Sequence, residues 1–233
     1  MNCILLAKNA KSITNKEQIT HIKKILKSKV GDSLTIAEMG GNIGKARINQ
    51  INHDEILLSD IKLKKAPPAK LDLTVILALP RPKVLRRLIM DMTSLGVNKI
   101  IIVNSYRSQK SYWQSPLLNR IDEFIFEGLQ QAIDTVPPII EFKKLFKPFV
   151  EDEFPALLGK AVIAHPYASQ SWKSYLDKAN TMPKILCIGA EGGWIDYEVD
   201  LLCHHGSTSV SLGQRILRTE TVVNVLLGAW LEG

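Results

Sequence analysis

Cysteine is scarce in this chain of 233 residues. Its three copies, Cys3, Cys187 and Cys203, lie far apart and show no CxxC or Cys/His ligand spacing. That spacing excludes a disulfide framework and a structural zinc, so no metal is expected and a reducing cytoplasm fits best. Long apolar runs are missing too. The opening MNCILLAKNA is short and broken by lysine, and nothing reaches the length of a membrane span, so a soluble protein with no membrane segment is expected. The common nucleotide and hydrolase signatures also fail. There is no G-x-G-x-x-G, and Gly159-Lys160 is followed by Ala161 with no earlier glycine in P-loop register. No G-x-S-x-G elbow and no H-E-x-x-H pair occur.

What is present is ordinary globular material: 45% hydrophobic and 23% charged residues, enough to bury a core without staples. Thirty Lys+Arg against 23 Asp+Glu leave a net charge of +7. Such a balance suits a polyanion such as RNA, although many ordinary enzymes share it. Lysines gather early, at Lys8, Lys11, Lys16, Lys23, Lys24, Lys27 and Lys29. A solvated face is the plain alternative.

The segment Lys64-Lys65-Ala66-Pro67-Pro68-Ala69-Lys70 divides the chain, because paired prolines fit neither a helix interior nor a central strand. Residues 1–66 read as a small β-rich barrel with strands at Leu34–Ala37, Ile43–Ile51 and Ile56–Leu63. One helix is predicted from Glu17 to Lys27, with Ile19, Ile22, Ile25 and Leu26 on its apolar face. Residues 71–233 alternate buried strands and helices, which predicts α/β architecture with a parallel sheet. Strands are expected at Leu73–Leu79, Lys99–Val103, Ala161–Ala164, Ile185–Ile188 and Thr208–Leu212. Helices are expected at Val84–Leu95, Leu117–Ile133, from about Asp196, and at Glu220–Leu231.

Two glycine loops stand at the carboxyl ends of predicted strands: Gly189-Ala190-Glu191-Gly192-Gly193-Trp194, and Gly213-Gln214-Arg215-Ile216-Leu217-Arg218-Thr219-Glu220. In open parallel sheets ligands bind beyond these strand ends, and glycine lets backbone approach a ligand closely.

The strings IGAEGGW and SLGQRILRTETV, with the final helix, closely resemble the RsmE family, the small-subunit ribosomal RNA methyltransferases E of the SPOUT superfamily. This chain carries Ala190 where the family has proline and Val222 where it has alanine. Thr93-Ser94-Leu95-Gly96-Val97 resembles the family's T-E-L-G-V, with Ser94 replacing a carboxylate. His21 to Lys27 with Gly31-Asp32 resembles H-x-x-x-V-L-R and G-D. The resemblance spans nearly the whole chain.

It implies an N-terminal PUA-like RNA-binding barrel and a C-terminal trefoil-knotted SPOUT domain that forms a homodimer. It also implies S-adenosyl-L-methionine as cofactor, used to methylate N3 of a uridine in 16S ribosomal RNA, free or in the small subunit. Mapped residue by residue, Gly189, Glu191, Gly192, Gly193, Leu212, Gly213, Ile216 and Leu217 would hold the cofactor, with His165 at a third strand end. Uridine N3 is a poor nucleophile until its proton leaves, so a cation over the developing anion would favour transfer. Arg218 is the first candidate and Arg215 the second, with Glu191 a candidate base or cofactor ligand. Lys23, Lys24, Lys27 and Arg47 are expected to bind RNA phosphates. Thr219 reads as an N-cap and Cys187 as inert core. Trp194 has a better claim than Tyr112 or Trp113 to stacking a base, although aromatic residues more often join the core or an interface. The last helix is apolar nearly all round, which suits a dimer interface. Two other readings stay open: a non-catalytic RNA- or ribosome-binding module, and a SPOUT ribose 2′-O-methyltransferase.

Overall fold

The structure, a computed structural model, describes residues 1–231. Glu232 and Gly233, the end of the region read as 71–233, lie outside the described residues. The chain forms two compact units. One comprises Met1–Ala69 with Ile125–Pro137, and the other Lys70–Phe124 with the chain from Pro138 onward.

The first unit is built on a five-stranded sheet of β1 (Ile4–Leu6), β2 (Ser12–Ile13), β3 (Ser33–Glu38), β4 (Ile43–Ile51) and β5 (Ile56–Lys65), in the order β1-β3-β4-β5-β2. Period-two alternation buries Leu34, Ile36, Ala46, Ile48, Ile56 and Leu58 on one face. Gly44 sits at an irregular point of the β4–β5 pair, where a Cβ would lie 1.8 Å from the Lys62 carbonyl oxygen. Only glycine fits there.

Helix α1 (Lys16–Thr20) is capped by Asn15, whose side chain accepts from the Glu17 and Gln18 N–H groups. The predicted helix Glu17–Lys27 does not run on as one amphipathic face. From His21 to Ile25 it widens into π turns, and it ends at Lys27 with φ +53°. The extra residue in a π turn rotates the later side chains by about 100°. Ile19 and Ile22 are buried, whereas Ile25 and Leu26 are 68% and 49% exposed.

Helix α3 (Ile121–Ala132) begins later than predicted, after a 3₁₀ stretch at Pro116–Arg120. Its second half belongs to the first unit. The Asn2 and Cys3 N–H groups donate to the Gln130 carbonyl, and Gln18 Nε2 donates to Gln130 Oε1 at 2.8 Å.

The second unit carries a six-stranded parallel sheet: β6 (Leu71–Ala78), β7 (Val97–Val103), β8 (Ile139–Lys143), β9 (Ala161–Ala164), β10 (Ile185–Ile188) and β11 (Ser207–Val210). The order is β11-β9-β10-β6-β7-β8. Its helices are α2 (Pro82–Ser94), α4 (Phe146–Pro148), α5 (Trp172–Lys178), α6 (Asp196–His204) and α7 (Thr219–Gly228). The last strand and last helix are both shorter than predicted. Ser211 leaves β11 and bridges to Ser171 instead. Because β9, β10 and β11 are neighbours, the loops that leave their carboxyl ends converge. That convergence builds the site.

Candidate active site

The loop after β10 is folded tightly on itself. A Cβ on Gly189 would lie 2.8 Å from the Gly193 Cα, and Gly193 adopts φ +70° while its N–H donates to the Ala190 carbonyl. Ala190 is buried in the position of the family proline. Trp194 is only 2% exposed and packs against Phe146 with ring centroids 5.6 Å apart. The reading of Trp194 as a base-stacking ring is therefore corrected: its ring belongs to the core.

After β9, the His165 N–H donates to the Val210 carbonyl, and Tyr167 stands 80% exposed with its ring edge-on to His165. After β11, Gly213 takes φ +105°, and Arg218 immediately precedes α7. Thr219 is not the N-cap. It is the first helical residue, and its hydroxyl donates to the Gly189 carbonyl at 3.4 Å, tying α7 to the glycine loop.

Two adjoining cavities open between these loops. The larger is lined by His165, Tyr167, Glu191, Gly192 and Leu217, among others. Gly189, Gly193 and Ile216 line it as well. The smaller shares His165, Ile216 and Leu217 and adds Leu212 and Arg215. Gly213 and Arg218 line neither. Glu191 Oε1 accepts from the Arg81 N–H at 3.0 Å, and Glu220 pairs with Arg87 at 2.8 Å. Arg218 is exposed and forms no ion pair among the described residues. Two buried polar atoms of cavity-lining residues, His165 Nδ1 and Trp194 Nε1, have no hydrogen-bond partner among the described residues. Burial pushes the Cys187 thiol well above its ordinary range, which keeps it unreactive.

Arg107 belongs to none of the sequence motifs. It leaves the loop after β7, its guanidinium donates to the Gly192 carbonyl, and it lines the larger cavity. A Cβ on Gly192 would meet Arg107 Cδ at 2.9 Å. The rule that ligands sit beyond parallel strand ends, applied to β7 as well, points to this loop but not to a particular residue in it.

In the first unit, Lys23 Nζ donates to the Asn52 carbonyl at 2.6 Å and the His53 carbonyl at 3.2 Å, so part of its donor capacity is used internally. Lys24 and Lys27 are exposed, and Arg47 lies 4.0 Å from Asp60.

Residues 67–231 match a family described as the RNA methyltransferase domain, and residues 13–61 match the RNA methyltransferase PUA domain. The chain belongs to the RNA methyltransferase domain family. It is similar to the ribosomal RNA small subunit methyltransferase E of Treponema pallidum, at 29% identity over 86% of this chain and 77% of that one. Its counterpart in Synechocystis is also 29% identical, over 90% of this chain and 69% of that one. Among solved structures, a small subunit methyltransferase E from Neisseria gonorrhoeae, bound to S-adenosyl methionine, superposes with TM-score 0.74 at 19% identity. It covers 100% of this chain and 97% of that one. A Legionella pneumophila methyltransferase with bound SAM gives 0.75 at 20%, covering 100% and 98%. At such identities these structures establish the fold: an α/β domain on a parallel sheet with an N-terminal PUA-like domain. No helix among the described residues is long and apolar enough to cross a membrane.

Proposed function

We propose that this RNA methyltransferase uses S-adenosyl-L-methionine to methylate N3 of a uridine in the ribosomal RNA of the small subunit. The observation that carries the reading is the pair of cavities at the ends of β9, β10 and β11, a glycine cradle with two unpartnered buried polar atoms. Aliphatic Ile216, Leu217 and Leu212 beside exposed loop backbone suit an adenosine, which offers an apolar face and hydrogen-bonding edges. His165, Gly189, Gly192, Gly193, Leu212, Ile216 and Leu217 are the residues we assign to holding it, with Gly213 turning the loop after β11 and Glu191 bracing the glycine loop through Arg81. When bound, the cofactor supplies an electrophilic methyl group on sulfur. The chain's part is to hold the uridine in line, exclude water and stabilise charge on the base. Tyr167, exposed at the cavity mouth, takes the stacking role that the sequence suggests for Trp194. Arg215 and Arg218, exposed beside the pocket, suit RNA phosphates or the base itself.

Residues 1–66, with Lys24, Lys27, Arg47 and the partly engaged Lys23, serve as the RNA-binding domain, and residues 71–233 as the knotted catalytic domain. Glu220 and Asn224 give α7 a polar side that pairs with Arg87 and Asp91, so it is not apolar all round. The exposed Val225 and Leu231 support a homodimer through this domain. Calorimetry with S-adenosyl-L-methionine tests the cofactor. One-site binding is expected, and no heat would favour a non-catalytic RNA-binding module. Light scattering tests the dimer: a stable monomer at micromolar concentration contradicts it.

A further inference from the structure

We infer that Arg107 is the cation that stabilises the uridine anion at N3, an inference that rests on the uridine-N3 reading above. Among the arginines of the site it is the one that lines the larger cavity; Arg215 lines the smaller one and Arg218 neither. Its guanidinium spends one donor on the Gly192 carbonyl. A guanidinium carries five N–H donors in a planar fork, so the others stay available for the O2 or O4 of an imide. Glu191 and Asp196 line the same cavity, yet neither forms an ion pair with Arg107 among the described residues. Glu191 is instead engaged by the Arg81 N–H. The charge of Arg107 is thus not cancelled before substrate arrives.

The loop that carries Arg107 is fixed from both sides. Ser108 Oγ donates to the Leu79 carbonyl at 2.7 Å and lies 3.1 Å from Ser105 Oγ, and both serines are buried. The Tyr106 N–H donates to Glu198 Oε1 at 2.8 Å, while Glu198 Oε2 accepts from the Ile195 N–H at 3.0 Å. One buried carboxylate therefore holds the arginine loop against the start of α6, next to the glycine loop. A cation held this way needs no reorganisation when charge develops. In the step it favours, the N3–H bond breaks, its electron pair remains on N3 and spreads to O2 and O4, and the proton passes to water.

The test uses the full chain without cofactor and an unmethylated small-subunit ribosomal RNA fragment labelled with ¹³C at C4 of the target uridine. NMR follows the imide's ionisation. On the native protein it should titrate about one to three pH units lower than in free RNA, as expected for an opposite charge within hydrogen-bonding reach. Arg107→Ala should return the titration to the free-RNA value, and Arg107→Lys should keep part of the shift. Transfer by Arg107→Ala measured at saturating cofactor should fall about 10²–10³-fold. An unchanged imide titration in Arg107→Ala overturns the inference. So does a cofactor affinity that falls tenfold or more in both variants while transfer recovers at saturating cofactor, because the arginine would then only brace the Gly192 loop. A native protein that binds neither cofactor nor RNA overturns the underlying reading, and the inference with it.

Discussion

Single residues decide how closely the loop after β10 can fold. Gly189 has no room for a methyl group, because the clash is with the Gly193 backbone and not with a flexible side-chain end. Gly189→Ala should therefore reduce stability by about 1–3 kcal/mol and weaken cofactor binding at least tenfold, measured by urea unfolding and calorimetry. Unaltered binding would show that the cofactor does not use this loop. The thiols give a second residue-scale prediction. Burial raises Cys3 to about 11 and Cys187 higher still, and raises half-buried Cys203 less. At pH 8 a disulfide reagent should label Cys203 first and the other two only on unfolding, since the thiolate is the reactive form. The glycine loop is legible in the sequence because close backbone approach restricts residue type. Arg107 and Tyr167 are not, since an exposed arginine or tyrosine on a strand-end loop leaves no comparable signature. Trp194 stays open between core and stacking in the sequence for the same reason: adjacency to a glycine loop says nothing about which way an indole faces.

At the scale of elements, strand and helix alternation can be read from buried apolar runs such as Val75–Ala78, and from the stop signal at Gly96, which takes φ +84°. Strands β1, β2 and β8 and helices α4 and α5 have no counterpart among the expected elements, and the π turns escape as well. The π turns at His21–Ile25 leave no periodic trace, because the apolar spacing there also fits an ordinary helix. Strand β8 lies at the sheet edge, has no fully buried position, and includes Glu141 and Lys143. The hydrogen bond from Lys99 holds the Glu141 carboxyl below its ordinary range, with Lys143 adding to the effect. A lowered folded-state value stabilises above the ordinary carboxylate range and loses that effect as pH falls through it. Glu141→Gln should therefore unfold more easily than the native chain near neutral pH, and the difference should vanish in acid. Glu198 is the more consequential carboxylate, being buried and bonded to two backbone N–H groups. Its replacement by alanine leaves both donors unpaired and should cost about 2–4 kcal/mol in urea unfolding. A loss under about 0.5 kcal/mol would mean that water replaces it.

For the whole molecule, the proline-marked division is legible, but the membership of Ile125–Pro137 in the first unit is not. It depends on contacts such as Gln18 with Gln130, 112 positions apart, which no local pattern encodes. Nor can alternation alone give the order β11-β9-β10-β6-β7-β8, on which the convergence of the three loops depends. The two units lead to a division of labour. Lys24→Glu with Lys27→Glu should weaken RNA binding and flatten its salt dependence, because fewer counterions are released, while cofactor affinity stays unchanged. Loss of cofactor binding in that variant would contradict the division.

The central claim is methyl transfer to a base in small-subunit ribosomal RNA. It is tested most directly by incubating the protein with unmethylated small subunits and S-adenosyl-L-methionine labelled in its methyl group, then mapping the label by mass spectrometry. One labelled uridine per small-subunit RNA is expected, with the methyl on N3 of the base. Label on a ribose 2′-oxygen, or no label from a protein that binds the cofactor, would contradict it.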